Sequence, residues 1–521
     1  MPKQKIRALK APPKAKPNDP ESWAFGLSRW ATRLWVIPYI AALAFWRDKV
    51  PDGLNNDAVE EALRGIYLVA ERKFEVMTFS LGASAETLYL YIVGLVSNFL
   101  GPTSLAIQLP SWMFAVASIY LLCVAGRRLD PALPEWVCVL LGTSSIMLFH
   151  YARSGLRAIT SPFFFLLFWL LFERAERNTE SRVTAFAAGG VLGLSIYSYT
   201  SCRVLMIASF VYGGIRLLRN RQQRRDLLAC YFQVAIGALV LSIPNLLFLF
   251  SHPQEFLFRG SYSMPQDFSL VLEGVFWSFV LPFYYPVHAT SEFFHRVFEI
   301  DSVSNGLVVT GINPIHIVVA VAFAAGVVRA YRLRNQPGPL FLLVQWLTGI
   351  AVLGLAGPSL TRLLILLPVY LLLAGLAIGE GLKWRSRCRP WFAILLFLPL
   401  IGHGYRYFSE IGTSPFARFY ASSAATPMGQ RAEAVAGEGA RVVCVVSKDA
   451  NIVRYLTHLH VDQVRVAEFY FRPLDAGEIP LNEFRPEVLL VEKAPAFQNF
   501  SRQFPNSTKT TYESFEEIRL P

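Results

Sequence analysis

About eleven apolar segments, separated by short polar stretches, constrain this chain of 521 residues more than any other feature of its sequence. A helix needs roughly 20 predominantly apolar residues to cross a bilayer, so the flanks of the shorter segments would complete them. Only 17% of the residues are charged, whereas an average soluble domain carries roughly 25%. We therefore predict a polytopic, all-α membrane protein with about 11 transmembrane helices. The segments are Trp30–Trp46, Leu105–Val124, Trp136–Tyr151, Ser161–Phe172, Val183–Tyr199, Leu205–Leu218, Leu227–Phe250, Ile312–Val328, Leu340–Leu355, Leu363–Ile378 and Trp391–Ile401.

Lysines and arginines cluster in the N-terminal tail and in alternate loops, and the positive-inside rule assigns such loops to the cytoplasm. All the clusters share one side only if Leu88–Phe99 does not cross the bilayer, so we predict that this segment is a helix in the outer interface. The net charge of +12 is then a topogenic signal, and we expect no nucleic-acid partner. The loop clusters include Arg127 and Arg128, Arg174 and Arg177, Arg216 and Arg219, Arg329 and Arg332, and Lys383 and Arg385.

The chain divides into three predicted parts: a basic cytoplasmic tail (1–28), a transmembrane domain (29–405) and an extracytoplasmic α/β domain (430–521). Within the transmembrane domain, residues 47–104 form an outer loop with interfacial helices, and residues 251–311 form a long outer loop. The C-terminal part alternates predicted strands with a helix, which is typical of a small α/β domain. The six cysteines show no paired spacing and predict neither a disulfide framework nor a zinc site. The predicted strands are Arg441–Ser447, Gln463–Phe469, Glu487–Glu492 and Glu513–Leu520, with a helix over Asp449–Leu459.

An acidic residue, Asp57, follows the first apolar segment at the outer boundary of the bilayer and opens an amphipathic run, Ala58–Arg72. That run predicts a helix lying on the membrane, whose N-terminus favours an ionised carboxylate. A carboxylate so close to lipid is costly and is a candidate functional residue. The alternative is that Asp57 serves only as the N-cap of this helix. The same alternative applies to Glu86, at the start of the second interfacial helix.

Three outer turns carry arginines, although the positive-inside rule predicts few cations there. Arginine can grip a phosphate with two N–H groups, and the alternative is that these side chains extend toward lipid headgroups. The turns contain Arg153 and Arg157, then Tyr197, Tyr199 and Arg203, and finally Arg362.

A carboxylate and several arginines at bilayer depth suit a lipid substrate with a phosphate head, such as a sugar carried on a polyprenyl phosphate. Transfer of that sugar to a hydroxyl requires a base for the acceptor's proton, which a carboxylate can provide. It also requires positive charge where the leaving phosphate develops its own charge, which arginines supply.

The order and sidedness of these elements resemble the membrane-embedded GT-C glycosyltransferases, in the branch of the dolichyl-phosphate-mannose protein mannosyltransferases and bacterial aminoarabinose transferases. The resemblance covers roughly residues 25–405 and implies a GT-C-type helical bundle with interfacial helices. It is carried by Asn56-Asp57-Ala58, Glu86-Thr-Leu-Tyr-Leu-Tyr91, Leu109–Ala115, Arg153–Ala158, Tyr197–Arg203 and Ser359–Leu364.

The resemblance also implies roles for individual residues. Asp57 would be the catalytic base, and Ala58 stands where many relatives carry Glu. That departure leaves open whether a divalent metal is used; Asp57 and Glu86 would hold it. The residues expected to bind substrate are Glu86, Arg153, Arg157, Tyr197, Tyr199, Arg203 and Arg362.

The implied activity is an inverting transfer of a hexosyl or pentosyl group from a polyprenyl-phosphate donor to a hydroxyl or amine-type acceptor. The acceptor would be a glycan, a lipid or a protein, at the periplasmic face of a bacterial inner membrane. An oligosaccharide polymerase or ligase is an alternative, since such enzymes also place arginines on the outer face. A transporter or flippase for lipid-linked sugars is a further alternative, but such a protein would need charged groups at mid-bilayer.

Overall fold

The computed structural model describes residues 34–47, 54–80, 83–253, 268–283, 313–355, 359–384, 389–411, 425–446, 450–460, 462–468, 486–492, 507–512 and 514–520. The predicted cytoplasmic tail and most of the predicted long outer loop lie outside these residues.

Each predicted apolar segment overlaps a helix. The helices are α1 Val36–Ala44, α2 Asn56–Ala70, α3 Leu88–Leu100, α4 Ser104–Leu129, α5 Glu135–Thr143, α6 Ile146–Ser154, α7 Thr160–Arg177, α8 Arg182–Ser195, α9 Arg203–Arg219, α10 Arg224–Ser251, α11 Phe268–Val280, α12 Ile317–Arg332, α13 Pro337–Leu355, α14 Leu360–Leu363, α15 Leu367–Trp384 and α16 Arg389–Arg406. Short 3-10 turns precede α7 (Arg157–Ile159), α9 (Thr200–Cys202), α10 (Arg221–Gln223) and α15 (Leu364–Leu366), and a π-helical turn, Tyr407–Ile411, follows α16.

The count of about eleven spans is not confirmed. By length and composition, 6 helices of the described residues could cross a membrane, or 7 if α5 and α6 form one span with a 55° bend. The reason is length: α8 has 14 residues and α12 has 16, which is short of the roughly 20 that a perpendicular span needs.

Ion pairs join the ends of five helices at one end of the bundle, where the basic clusters were predicted to lie together. Each pair links a residue near the end of one helix to a residue near the end of the next, so the order α9–α7–α4–α15–α12 is continuous. The pairs are Arg216–Glu176 (3.5 Å), Arg128–Glu173 (3.0 Å), Lys383–Asp130 (2.6 Å) and Arg329–Glu380 (2.8 Å).

The amphipathic helix α2 packs its apolar face against α3, with Gly65 facing Gly94. A Cβ atom on Gly65 would lie 2.1 Å from the carbonyl oxygen of Leu90, so the two backbones are in direct contact. An antiparallel hairpin, β1 (Met77–Ser80) and β2 (Ala83–Glu86), connects α2 to α3. This hairpin was not predicted, and it delivers Glu86 to the start of α3.

The C-terminal part forms the predicted small α/β unit, with one helix, α17 (Ala425–Gly437), and one strand, β6 (Thr508–Thr511), beyond those predicted. The other elements are β3 Val442–Val446, α18 Ala450–Leu456, β4 Val464–Glu468, β5 Val488–Glu492 and β7 Phe515–Arg519. The sheet order is β4-β3-β5-β7-β6. β3 pairs in parallel with β4 and β5, and β7 pairs antiparallel with β5 and β6.

This α/β unit is attached directly to α2 and α3. The hydroxyl of Tyr455, on α18, lies 3.0 Å from Ser97 Oγ and donates to the carbonyl of Thr103 at 3.2 Å. The backbone N–H of Leu54, just before α2, donates to Thr426 Oγ1 at 2.9 Å. Helices α2 and α3 are therefore held from two sides, by the helical bundle and by the α/β unit.

We expect the Gly65→Ala substitution to separate α2 from α3 and to destabilise the protein by about 1–3 kcal/mol, because the new methyl group overpacks a backbone contact. The matched control is Gly214→Ala in α9, where an added Cβ would meet nothing within 4 Å. Thermal unfolding in detergent should show a lower midpoint for the first variant and an unchanged or higher midpoint for the second.

Candidate active site

Asp57 lies in the first turn of α2, but it is not the cap. The N-cap is Asn55, whose side chain accepts a hydrogen bond from the backbone N–H of Ala58 at 3.2 Å. The alternative that Asp57 serves only as the N-cap is therefore wrong. The capping alternative is wrong for Glu86 too, since Thr87 occupies the N-cap position of α3 and Glu86 ends strand β2.

Glu86 is buried among cations. Its carboxylate lies 3.8 Å from Arg157 Nη1 and 3.6 Å from Arg203 Nη2, and it accepts a hydrogen bond from the hydroxyl of Thr200. Only 1% of Glu86 is exposed. A buried carboxylate is retained only where cations or donors compensate the loss of water, and here residues from two turns do so.

Arg157 is the centre of the cluster. Its Nε lies 3.1 Å from a carboxylate oxygen of Glu61, on α2, and the ring of Tyr199 lies 5.7 Å from its guanidinium carbon. Asp57 is close enough to interact with the same guanidinium electrostatically. The structure thus brings five residues together, Asp57, Glu61, Glu86, Arg157 and Arg203, with Tyr199 beside them.

The starts of two helices meet at this cluster. Arg157 opens the 3-10 turn that leads into α7, and Arg203 is the first residue of α9. The two starts contact each other through Ser161 and Ser201, whose hydroxyl oxygens are 3.2 Å apart. Helix N-termini carry partial positive charge and unpaired N–H groups, so their meeting adds to the attraction that the arginines exert on an anion.

Arg362 lies at the edge of this arrangement. It belongs to the short helix α14, which Ser359 caps by accepting from the backbone N–H of Arg362 at 3.4 Å. Helix α14 packs beside the Thr200–Cys202 turn, and the Arg362 side chain is partly buried.

Arg153 and Tyr197 have different surroundings from the cluster. The guanidinium of Arg153 donates to the carbonyls at the end of α1, those of Ala42, Leu43 and Phe45 at 2.6–3.1 Å and that of Trp46 at 2.9 Å. The hydroxyl of Tyr197 donates to the carbonyl of Leu241 in α10. Both side chains therefore connect neighbouring helices by hydrogen bonds. Their contact with substrate stays a prediction.

Sequence reasoning missed Glu61 and Thr200. The signal for Glu61 was present, because it follows Asp57 by four residues and side chains four apart share one face of a helix. No sequence signal pointed to Thr200, whose contact with Glu86 joins residues 114 positions apart.

The side chains of the cluster determine whether it can hold a divalent metal. Among the described residues, no three His, Cys, Asp or Glu side chains come together as a metal-binding group. Glu61 and Glu86 each face an arginine instead. Within the part of the chain that the structure describes, the carboxylates of the cluster are therefore not arranged as a metal-binding group.

An apolar cavity of about 430 Å³ lies apart from the cluster, between α1, the α5–α6 bend and α16. Tyr39, Phe149 and His403 are among the residues that line it, and none of the predicted site residues does. Its walls are almost entirely carbon, so it is suited to hydrocarbon rather than to an anion.

Comparison with solved structures identifies the architecture. ArnT from Cupriavidus metallidurans bound to undecaprenyl phosphate matches over 93% of this chain and 97% of its own, with a TM-score of 0.54 and 12% identity. Its apo state matches over 94% and 98%, with a TM-score of 0.56 and 11% identity. This chain has the GT-C fold.

A third GT-C structure is less similar. The archaeal oligosaccharyltransferase AglB from Archaeoglobus fulgidus, in complex with an inhibitory peptide and a dolichol-phosphate, covers 89% of this chain and 70% of its own at a TM-score of 0.49 and 12% identity. No protein-family model matches the sequence, and no curated protein matches it. At these identities the two ArnT comparisons establish the fold, and the activity has to be argued from the site.

We expect Arg153→Met to destabilise the protein by more than about 2 kcal/mol, because buried carbonyls at the end of α1 would lose their donor. The measurement is the thermal unfolding midpoint of the purified protein in detergent. An unchanged midpoint would show that Arg153 does not hold α1 to α6.

Proposed function

We propose that this chain is a membrane glycosyltransferase that takes a sugar from a polyprenyl-phosphate donor and transfers it to an acceptor at the periplasmic face of a bacterial inner membrane. The observation that carries the proposal is the cluster itself: Arg157 and Arg203 stand at two helix starts, and the carboxylate of Asp57 is within electrostatic range of Arg157. This combination provides an anion site and a base within one group of residues.

The donor phosphate is assigned to the arginines. Arg157 Nη1 has no hydrogen-bond partner among the described residues, since its distance of 3.8 Å from Glu86 is longer than a hydrogen bond. A phosphate oxygen would supply the acceptor that this N–H group lacks, and Arg203 would supply a second cation. Tyr199, Arg362 and Glu86 complete the proposed substrate-binding residues.

The proposed reaction is a single displacement. The acceptor oxygen or nitrogen forms a bond to the anomeric carbon of the sugar while Asp57 takes the acceptor's proton. The bond between that carbon and the phosphate oxygen breaks, and its electron pair stays on the phosphate. The arginines stabilise the charge that develops there. Attack on the face opposite the phosphate inverts the anomeric configuration.

The fold supports the class of donor. ArnT was solved with undecaprenyl phosphate bound, and this chain shares its architecture over nearly the whole length. The α/β unit contacts α3 and the residue that precedes α2. Helix α2 carries Asp57, and α3 follows Glu86. We therefore propose that the α/β unit lies on the same outer face as these two residues.

The first test is Asp57→Asn, which keeps the shape of the side chain and removes the base. We expect turnover to fall at least about 100-fold, while undecaprenyl phosphate still binds. The measurement is sugar transfer by purified enzyme in lipid, with donors carrying either one sugar or an oligosaccharide. A preference for the oligosaccharide would favour a ligase, and near-wild-type turnover would remove Asp57 from the mechanism.

The control for this test is Asn55→Ala, which removes the cap of the same helix. We expect a loss of about 1 kcal/mol in stability and a much smaller effect on turnover. If both variants lose activity equally, the effect of Asp57→Asn comes from the helix rather than from catalysis.

The second test concerns the phosphate. We expect Arg203→Gln to weaken undecaprenyl phosphate binding at least about tenfold, or about 1.4 kcal/mol, and to leave binding of uncharged undecaprenol unchanged. The matched control is Arg219→Gln, at the opposite end of the same helix, where the side chain is exposed. Equal affinities of the two variants for undecaprenyl phosphate would contradict the assignment.

A further inference from the structure

We propose that Glu61 is a positioning residue for the donor phosphate: it holds Arg157 by Nε, so that the terminal N–H groups of the guanidinium are presented to the phosphate. This inference rests on the proposed donor, and it adds a residue that neither the sequence pattern nor the family resemblance assigned.

The contact between Glu61 and Arg157 is close and buried. Their atoms are 3.1 Å apart, and the side chains are 12% and 7% exposed, respectively. A guanidinium is a rigid plane with five N–H donors, so a carboxylate in an ion pair at Nε restricts the orientation of the plane. The terminal Nη1 group remains beyond hydrogen-bond distance of its nearest carboxylate, Glu86.

Glu61 is better suited to this role than Glu86. The carboxylate of Glu86 is divided between two arginines at 3.6 Å and 3.8 Å and is also bonded to Thr200. It therefore fixes neither guanidinium tightly. Glu61 approaches Arg157 more closely, at 3.1 Å from Nε.

Helix α2 carries both the proposed base and this contact. Asp57 and Glu61 are four residues apart and share one face of the helix, with Cβ atoms about 6 Å apart. A rigid helix thus sets the position of the base and the orientation of Arg157 together. The separation between the acceptor's proton and the leaving phosphate then depends on a single element.

A second role is conceivable for a carboxylate beside a phosphate site, namely competition with the phosphate for the arginine. The two roles predict opposite results. Removal of a competitor tightens phosphate binding, whereas removal of a positioning residue weakens it.

The experiment compares Glu61→Ala with Glu61→Gln, using undecaprenyl phosphate as the binding probe and donor KM and kcat as kinetic readouts. The glutamine keeps an oxygen that can accept from Nε, so we expect its affinity to stay within about threefold of wild type. The alanine frees the guanidinium, and we expect a 10- to 100-fold loss in kcat/KM for the donor, because small misplacements of a binding group cost that much.

The control is Glu71→Gln at the exposed end of α2, 3.8 Å from Lys73, which should behave as wild type. Because Glu61→Ala alone could act through folding, the same substitution is also made in an Arg157→Lys background. A lysine has no Nε and no rigid fork, so we expect the effect of Glu61→Ala on the affinity to shrink to less than about threefold there.

The outcomes separate the two proposals. Equal losses in the alanine and glutamine variants, tighter binding in either, or an undiminished effect in the Arg157→Lys background would overturn the role of Glu61. If the wild-type protein binds undecaprenyl phosphate no better than undecaprenol, the proposed function itself fails.

Discussion

The buried ion pair between Arg157 and Glu61 is the interaction on which the site depends. Both partners are largely buried, and removal of either would reduce the charge compensation of the other, which is destabilising. The pair also crosses between two elements, because Glu61 belongs to α2 and Arg157 to the turn before α7. Through it, the orientation of α2 is fixed relative to the helical bundle, and the α/β unit contacts the start of the same helix.

The two ends of the bundle use charge in different ways. At one end, ion pairs connect five helices in a continuous series, and the arginines there are paired with acidic residues from neighbouring helices. At the other end, Arg157 and Arg203 stand at helix starts, where the backbone adds positive character. We therefore assign the proposed phosphate site to the second end, where Nη1 of Arg157 has no hydrogen-bond partner among the described residues. The apolar cavity lies elsewhere, beside α1 and α16, and does not compete for this role.

The apolar segments, the amphipathic helix and most of the C-terminal strands could be predicted because each depends on local periodicity. The number of spans could not, since helix ends are set by caps and packing, as α8 shows. Asp57 and Glu86 could be singled out by their place beside the bilayer. The contact of Glu86 with Thr200 could not, because it joins distant parts of the chain. Arg153 could not be distinguished from Arg157 by sequence, because both lie in the same predicted outer turn. In the structure, its guanidinium donates to carbonyls at the end of α1 instead.

The most direct test of the account is an experimental structure of the protein with undecaprenyl phosphate bound in lipid. We predict that the phosphate lies in hydrogen-bond contact with the terminal N–H groups of Arg157, with Glu61 still paired with Nε and Arg203 beside the phosphate. A phosphate bound elsewhere, with the Arg157 cluster unchanged and unoccupied, would contradict it.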